Sequence, residues 1–250
     1  MTGRASAVTP LSPLFIWQGG WLMLASSLRN RPHRHVAASL LVGLEGPLRV
    51  QIAGHWVGSP LVWVAPDVEQ ALESPGPVAV LHLDPDDGAW RGLPVQGPGG
   101  ALPESRLPGF REALAGLREQ SGVEAVRALR ERLRAAAPPL DPRIAAACQA
   151  LRREDLDGAR LASAAGLSES RFRHLFREQV GVSLKRFQLH LKCQRALRLW
   201  RDGMSFAELA GAAGFYDQPH LNRTLRAMFD ALPSRYARAF PVQVVHLDCL

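Results

Sequence analysis

One short pattern occurs twice in the C-terminal part of the chain, and it limits what that part can fold into. Leu161-Ala162-x-Ala164-Ala165-Gly166 recurs 48 positions on as Leu209-Ala210-x-Ala212-Ala213-Gly214. Phe172-x-x-x-Phe176 recurs 49 positions on as Leu221-x-x-x-Leu225, and Leu184-x-x-Phe187 as Pro233-x-x-Tyr236. The second copy therefore has one extra residue in its turn. Each copy reads as two short helices meeting at an angle. Small residues on the first helix let the second come close. A glycine at the turn adopts positive φ without steric cost. Ser168 in one copy and Asp217 in the other can cap the helix that follows.

That following helix has two distinct faces in both copies. In the first, Phe172, Leu175 and Phe176 point inward, while Ser170, Arg173, His174 and Arg177 share the opposite side at helical spacing. In the second, Leu221, Leu225 and Met228 point inward, and Gln218, Asn222, Arg223 and Arg226 point out. Arginine grips guanine O6 and N7, and Asn or Gln pairs with adenine N6 and N7. A single such helix is explained as well by a solvated polar face. Two matched copies in a basic region favour base reading. The charge supports this, since residues 1–139 hold 13 Lys/Arg against 12 Asp/Glu, whereas residues 140–250 hold 17 against 11. The helix expected over 184–201 would be about 27 Å long at 1.5 Å per residue. With the widths of the units added, it suits two helices entering major grooves about 34 Å apart.

The run LASAAGLSESRFRHLFREQVG, the second-copy GFYDQPHLNR and the closing PSRY resemble the arabinose-regulator (AraC/XylS) family. The resemblance implies a double helix-turn-helix domain. It implies base contacts from the positions of Ser170, Arg173 and His174 in the first unit, and of Gln218, Pro219, Asn222 and Arg223 in the second. The chain departs from the family pattern at three places. Pro219 replaces a polar residue, Asp230 stands where glycine is common, and Leu184 replaces a proline. Pro219 is tolerated in the first turn of a helix, but its side chain cannot hydrogen-bond a base.

The N-terminal part reads differently. Short apolar runs at 14–18, 21–26, 36–45, 48–53, 61–65 and 78–83 are separated by Gly/Pro turns, the pattern of an antiparallel barrel or sandwich. Residues 88–108 read as irregular. Helices are expected over 110–119 and 123–136, the second with an apolar stripe at Val123, Val126, Leu129 and Leu133 that would pack on the barrel or on a second subunit. Pro138-Pro139 ends it. The expected fold class is α+β in two domains, with an antiparallel cupin-like barrel plus helices over 1–137 and an all-helical double helix-turn-helix domain over 138–250.

The family resemblance extends to the barrel and implies a role in sensing or dimerisation. His33-Arg34-His35 is similar to the start of a cupin metal motif, but no glutamate follows at close spacing and Gln70 fills the later histidine slot, so no metal or other cofactor is expected. His33, His35, Trp63 and His82 are the candidate ligand-binding residues, with Trp56, Trp63 and His82 read equally as core. The expected function is a sequence-specific transcription regulator and not an enzyme, with double-stranded DNA, a small-molecule effector, RNA polymerase and a second copy as partners. The alternative is a metal-dependent cupin enzyme fused to a DNA-binding module. A reactive-cysteine role for Cys193 lacks any activating neighbour in the sequence. Mere coating of nucleic acid would need charge but not paired reading helices. Three scattered cysteines, no leader pattern and no long apolar run point to the cytoplasm.

Overall fold

The computed structural model describes residues 12–117, 123–133, 137–200, 203–229 and 242–246. The N-terminal part is built from two facing sheets. The larger holds β8 (Leu61–Val64), β5 (Ala38–Gly43), β10 (Val78–Leu83), β2 (Gly20–Ala25) and β1 (Ser12–Trp17), flanked by β11 (Gly99–Ala101) and β12 (Val242–His246). The smaller runs β3 (Leu28–Arg29), β9 (Glu69–Ser74), β6 (Leu48–Ile52), β7 (His55–Ser59), with β4 (His33–Arg34) also paired to β9. The sheets form a double-layered, cupin-like barrel rather than one closed ring.

β2, β5 and β10 are buried on both faces, so their sequences are continuous apolar runs rather than alternations. Their odd and even residues still part company. Trp21, Met23, Leu41, Val78 and Val80 fill the space between the sheets with Val50, Ile52 and Leu72. Leu22, Leu24, Leu40, Val42, Ala79 and Leu81 face the other way. There they are covered by the short helix α1 (Gly88–Arg91) and by α2 (Phe110–Gly116), which contributes Phe110 and Leu114. Residues 88–108 are thus not wholly irregular, since they carry α1, β11 and a single 3-10 turn. The β6–β7 hairpin closes through Ala53 and Gly54, both at positive φ (47° and 89°), the two-residue turn whose twist suits a hairpin. The helix α3 spans Val123–Leu133; the side chains of its apolar stripe lie outside what is described.

The C-terminal part packs α4 (Pro142–Arg153), α5 (Gly158–Ala164), α6 (Glu169–Val180), α7 (Leu184–Leu199), α8 (Phe206–Ala213) and α9 (Gln218–Phe229) around one core. Asp141 caps α4, accepting the Arg143 amide, and Pro142 occupies its first turn. The long connector α7 has 16 residues, two fewer than expected, because Trp200 turns extended. The expected closing helix from Pro233 and the position of Asp230 lie outside the described residues.

The C-terminal domain is helical from α4 to α9, as expected. Beyond it the strand β12 returns to the barrel and pairs in parallel with β1, Ser12 opposite Val242 through Ile16 opposite His246. The two parts also share cores. Val36 is fully buried in the C-terminal core, and Leu197 of α7 packs against the core between the sheets. β4 touches α9.

Candidate nucleic-acid interface

The first helix-turn-helix unit is α5 and α6. Asp157 caps α5 by accepting the Arg160 amide at 2.8 Å. Gly166 turns the chain at φ +65°, and Ser168 caps α6, accepting the Arg171 amide at 3.3 Å. Phe172 and Phe176 are fully buried, and Phe176 meets Phe187 of α7 edge-on at 5.5 Å. This packing fixes how α6 is rotated. It leaves Ser170, Arg173, His174 and Arg177 exposed on one side, as the spacing predicts. The Arg173 guanidinium is paired with Glu169 one turn back; between exposed groups such a pair contributes little stability. Arg173, His174 and Arg177 line a groove of about 660 Å³ together with Lys185 and Gln188 of α7.

The second unit is α8 and α9. Ser205 and Glu208 form a reciprocal cap at the start of α8. Gly214 ends it in the left-handed conformation at φ +81°, and Asp217 caps α9 by accepting the His220 amide at 2.6 Å. Leu221, Leu225 and Met228 are buried, and Gln218, Arg223 and Arg226 are exposed. Asn222 is only half-exposed, and its Oδ1 is buried without a hydrogen-bond partner. Sequence reasoning passed over Tyr216, which stands 93 % exposed in the turn before α9.

Between the barrel and this domain lies a buried charge cluster that no local pattern announces. Asp84, just past β10, is fully buried. It accepts hydrogen bonds from His190 Nε2 at 2.8 Å, Gln194 Nε2 at 2.6 Å and Arg152 Nη1 at 2.8 Å. Arg152 reaches Asp86 with its other nitrogen at 2.6 Å. Burial alone would raise the Asp84 pKa, but His190 and Arg152 outweigh it and hold the carboxyl well below the usual range. Arg186 pairs with Asp67, and Arg198 donates to the Trp17 carbonyl at 2.9 Å.

The four candidate ligand-binding residues separate. His33, His35 and His82 meet between the sheets, where His82 stacks on Trp21 at 4.0 Å and His35 meets the His82 ring edge-on at 4.1 Å. Trp63 faces the opposite side of its sheet, against Trp90 at 6.1 Å, because β8 places 61 and 63 on one face and 62 and 64 on the other. His33 Nδ1 lies 2.7 Å from the Arg31 carbonyl and must donate to it; its Nε2 then accepts from His35 Nε2 at 2.8 Å. Gln70 donates to Ser39 at 2.8 Å, and its Oε1 is buried without a partner. The cavity these groups line is about 30 Å³, room for water and not for a sugar-sized molecule. Among the described residues no three His, Cys, Asp or Glu side chains form a metal-binding group. Cys193 is buried, and burial pushes its thiol up to about 12, which suppresses the nucleophilic thiolate. No helix among the described residues is long and apolar enough to cross a membrane.

Comparison with known proteins agrees with this geometry. A family model described as a helix-turn-helix domain matches residues 161–239. The arabinose operon regulatory protein of Escherichia coli K12 is 33 % identical over 133 residues, covering 51 % of this chain and 44 % of that protein. Its counterpart in Salmonella typhimurium LT2 is 34 % identical over 104 residues, covering 40 % and 37 %. The chain thus spans less than half the length of the curated relatives it matches. Across both domains the fold resembles that of ToxT from Vibrio cholerae O395, with a TM-score of 0.57 at 11 % identity over 89 % of this chain and 98 % of that one.

Proposed function

We propose that this chain, whose residues 161–239 are a helix-turn-helix domain of the arabinose-regulator type, is a sequence-specific transcription regulator that reads two adjacent major grooves. The observation that carries the reading is the pair of exposed polar faces on α6 and α9, each fixed by a buried apolar face and joined through α7. At 1.5 Å per residue α7 is about 24 Å long, the right scale for successive grooves once the helix widths are added. Ser170, Arg173, His174 and Arg177 would meet one half-site, and Gln218, Asn222, Arg223 and Arg226 the other. Residues 1–137 form the regulatory part and 138–250 the DNA-binding part of this cytoplasmic, non-enzymatic protein.

A small effector, a second copy of the chain and RNA polymerase are the remaining partners in this reading. An effector acts by binding the DNA-competent state more tightly than the other. The 30 Å³ cavity at His33, His35 and His82 must widen to admit one. The buried, unpartnered Oε1 of Gln70 is the polar group it would satisfy.

Selection from a random DNA pool with the full chain tests the function. Two short half-sites about one helical turn apart should be enriched. Recovery of unrelated, salt-sensitive sequences alone would refute the reading. On the selected site, Arg173→Ala should cost about 1–3 kcal/mol of binding and relax preference at one base position. An equal loss on every sequence would instead make Arg173 a phosphate contact.

A further inference from the structure

Among the described residues, the large hydrophobic side chains standing in solvent are Trp56 and Tyr216. Trp56 has the Arg49 guanidinium over its ring at 4.7 Å. Tyr216 is exposed on every side, yet its backbone is firmly held. Phe215 before it is buried, bonds through its amide to the Ala210 carbonyl at 2.9 Å, and packs edge-on against His220 at 5.3 Å. Asp217 after it caps α9. The Tyr216 backbone is thus held at the mouth of the second reading helix, with its ring in solvent.

A second exposed apolar side chain follows closely in the sequence. Pro219 is exposed and three residues on, followed at helical spacing by Asn222, Arg223 and Arg226. The first unit has no counterpart of Tyr216: Leu167, whose amide bonds the Ala162 carbonyl at 3.0 Å, matches Phe215, and Ser170 matches Pro219, so Tyr216 is the extra residue of the second turn. The two units therefore differ in kind at their leading edge: the first offers a serine hydroxyl, the second an aromatic ring and a pyrrolidine. The apolar group that a base pair displays in the major groove is the C5 methyl of thymine.

We infer that the second unit reads thymine through its methyl group, with Tyr216 and Pro219 as the specificity-determining pair at the edge of its half-site. The inference rests on the DNA-reading function proposed above, and names what one end of one unit recognises. It also accounts for Pro219, which cannot hydrogen-bond a base but packs on a methyl as well as any residue.

The test uses the full chain and a duplex carrying the selected site, with the thymines of the second half-site replaced one at a time by deoxyuridine. This removes the methyl and keeps the base pair. At one position the unaltered chain should bind the uracil duplex about fourfold more weakly, the effect of one buried methyl. Tyr216→Ala should bind the thymine duplex as weakly as the unaltered chain binds the uracil one, and should no longer distinguish the two. Tyr216→Phe should still distinguish them. Equal affinity of the unaltered chain for thymine and uracil at every position would overturn the inference and leave DNA reading intact. So would full discrimination by Tyr216→Ala, or its uniform loss of affinity on all DNA. Failure to enrich any site would instead sink the underlying function.

Discussion

Asp84→Ala should lower the unfolding free energy by about 3–5 kcal/mol, the cost of removing one partner from a buried ion pair. The magnitude follows from what the carboxylate leaves behind. Arg152, largely buried, would keep only Asp86, while His190 and Gln194 would lose their common acceptor in the interior. Asp86→Ala should cost less, because Arg152 keeps its Nη1 bond to Asp84 and Asp86 is slightly exposed. Urea denaturation followed by tryptophan fluorescence measures both. A loss under about 1 kcal/mol for Asp84→Ala, the range of exposed pairs, would mean that the cluster does not hold the barrel to the helical domain.

The second large effect is acid sensitivity. His35 and His82 are buried, and desolvation first, then the charges of neighbouring histidines, lowers both well below 6.5. Well above pH 6.5 both are neutral in the folded and the unfolded chain, so they add nothing to the pH dependence. Below it the unfolded chain takes up protons that the folded one refuses, and stability falls. Each such histidine contributes a slope of about 1.4 kcal/mol per pH unit, so the pair approaches roughly 2.7. Asp84 works in the same sense but in a lower window: its folded pKa is depressed, so its contribution is present above 3.8 and is lost only as pH falls further. Between those limits the histidines set the slope. Urea midpoints at pH 7.5, 6.5 and 5.5 should fall slightly across the first step and about three times as far across the second. His82→Phe, which keeps a ring against Trp21, should roughly halve the drop. A flat profile down to pH 5.5 would show that the rings are hydrated.

How much of this was legible beforehand depended on whether the signal was local. α6 and α9 could be read because inward and outward residues recur within one helix, and their caps lie beside them in sequence. β5 and β10 could be read as apolar runs. β9 could not, because Glu69, Gln70 and Glu73 make it look like a loop, although its intervening Ala71 and Leu72 are buried. Trp63 and His82 seemed to belong together until strand register put them on opposite faces. Asp84 sits in a Pro/Asp turn whose partners are more than sixty residues away. A signal did exist in α7: His190 and Gln194 lie on the same helical face as Phe187 and Leu191, and polar residues on a core face need buried partners.

The parallel pairing of β12 with β1 has a consequence for how the protein is made. The partners Ser12 and Val242 are 230 positions apart, and a ribosome adding about 5–20 residues per second needs on the order of 10–50 s to cover that distance. Throughout that interval one side of β1, with its run Leu14-Phe15-Ile16-Trp17, is an open sheet edge on a nascent chain. Such an edge is a template for a strand from another molecule. Crowded polysomes are therefore where this protein should aggregate, and slower, sparser synthesis should raise its soluble yield.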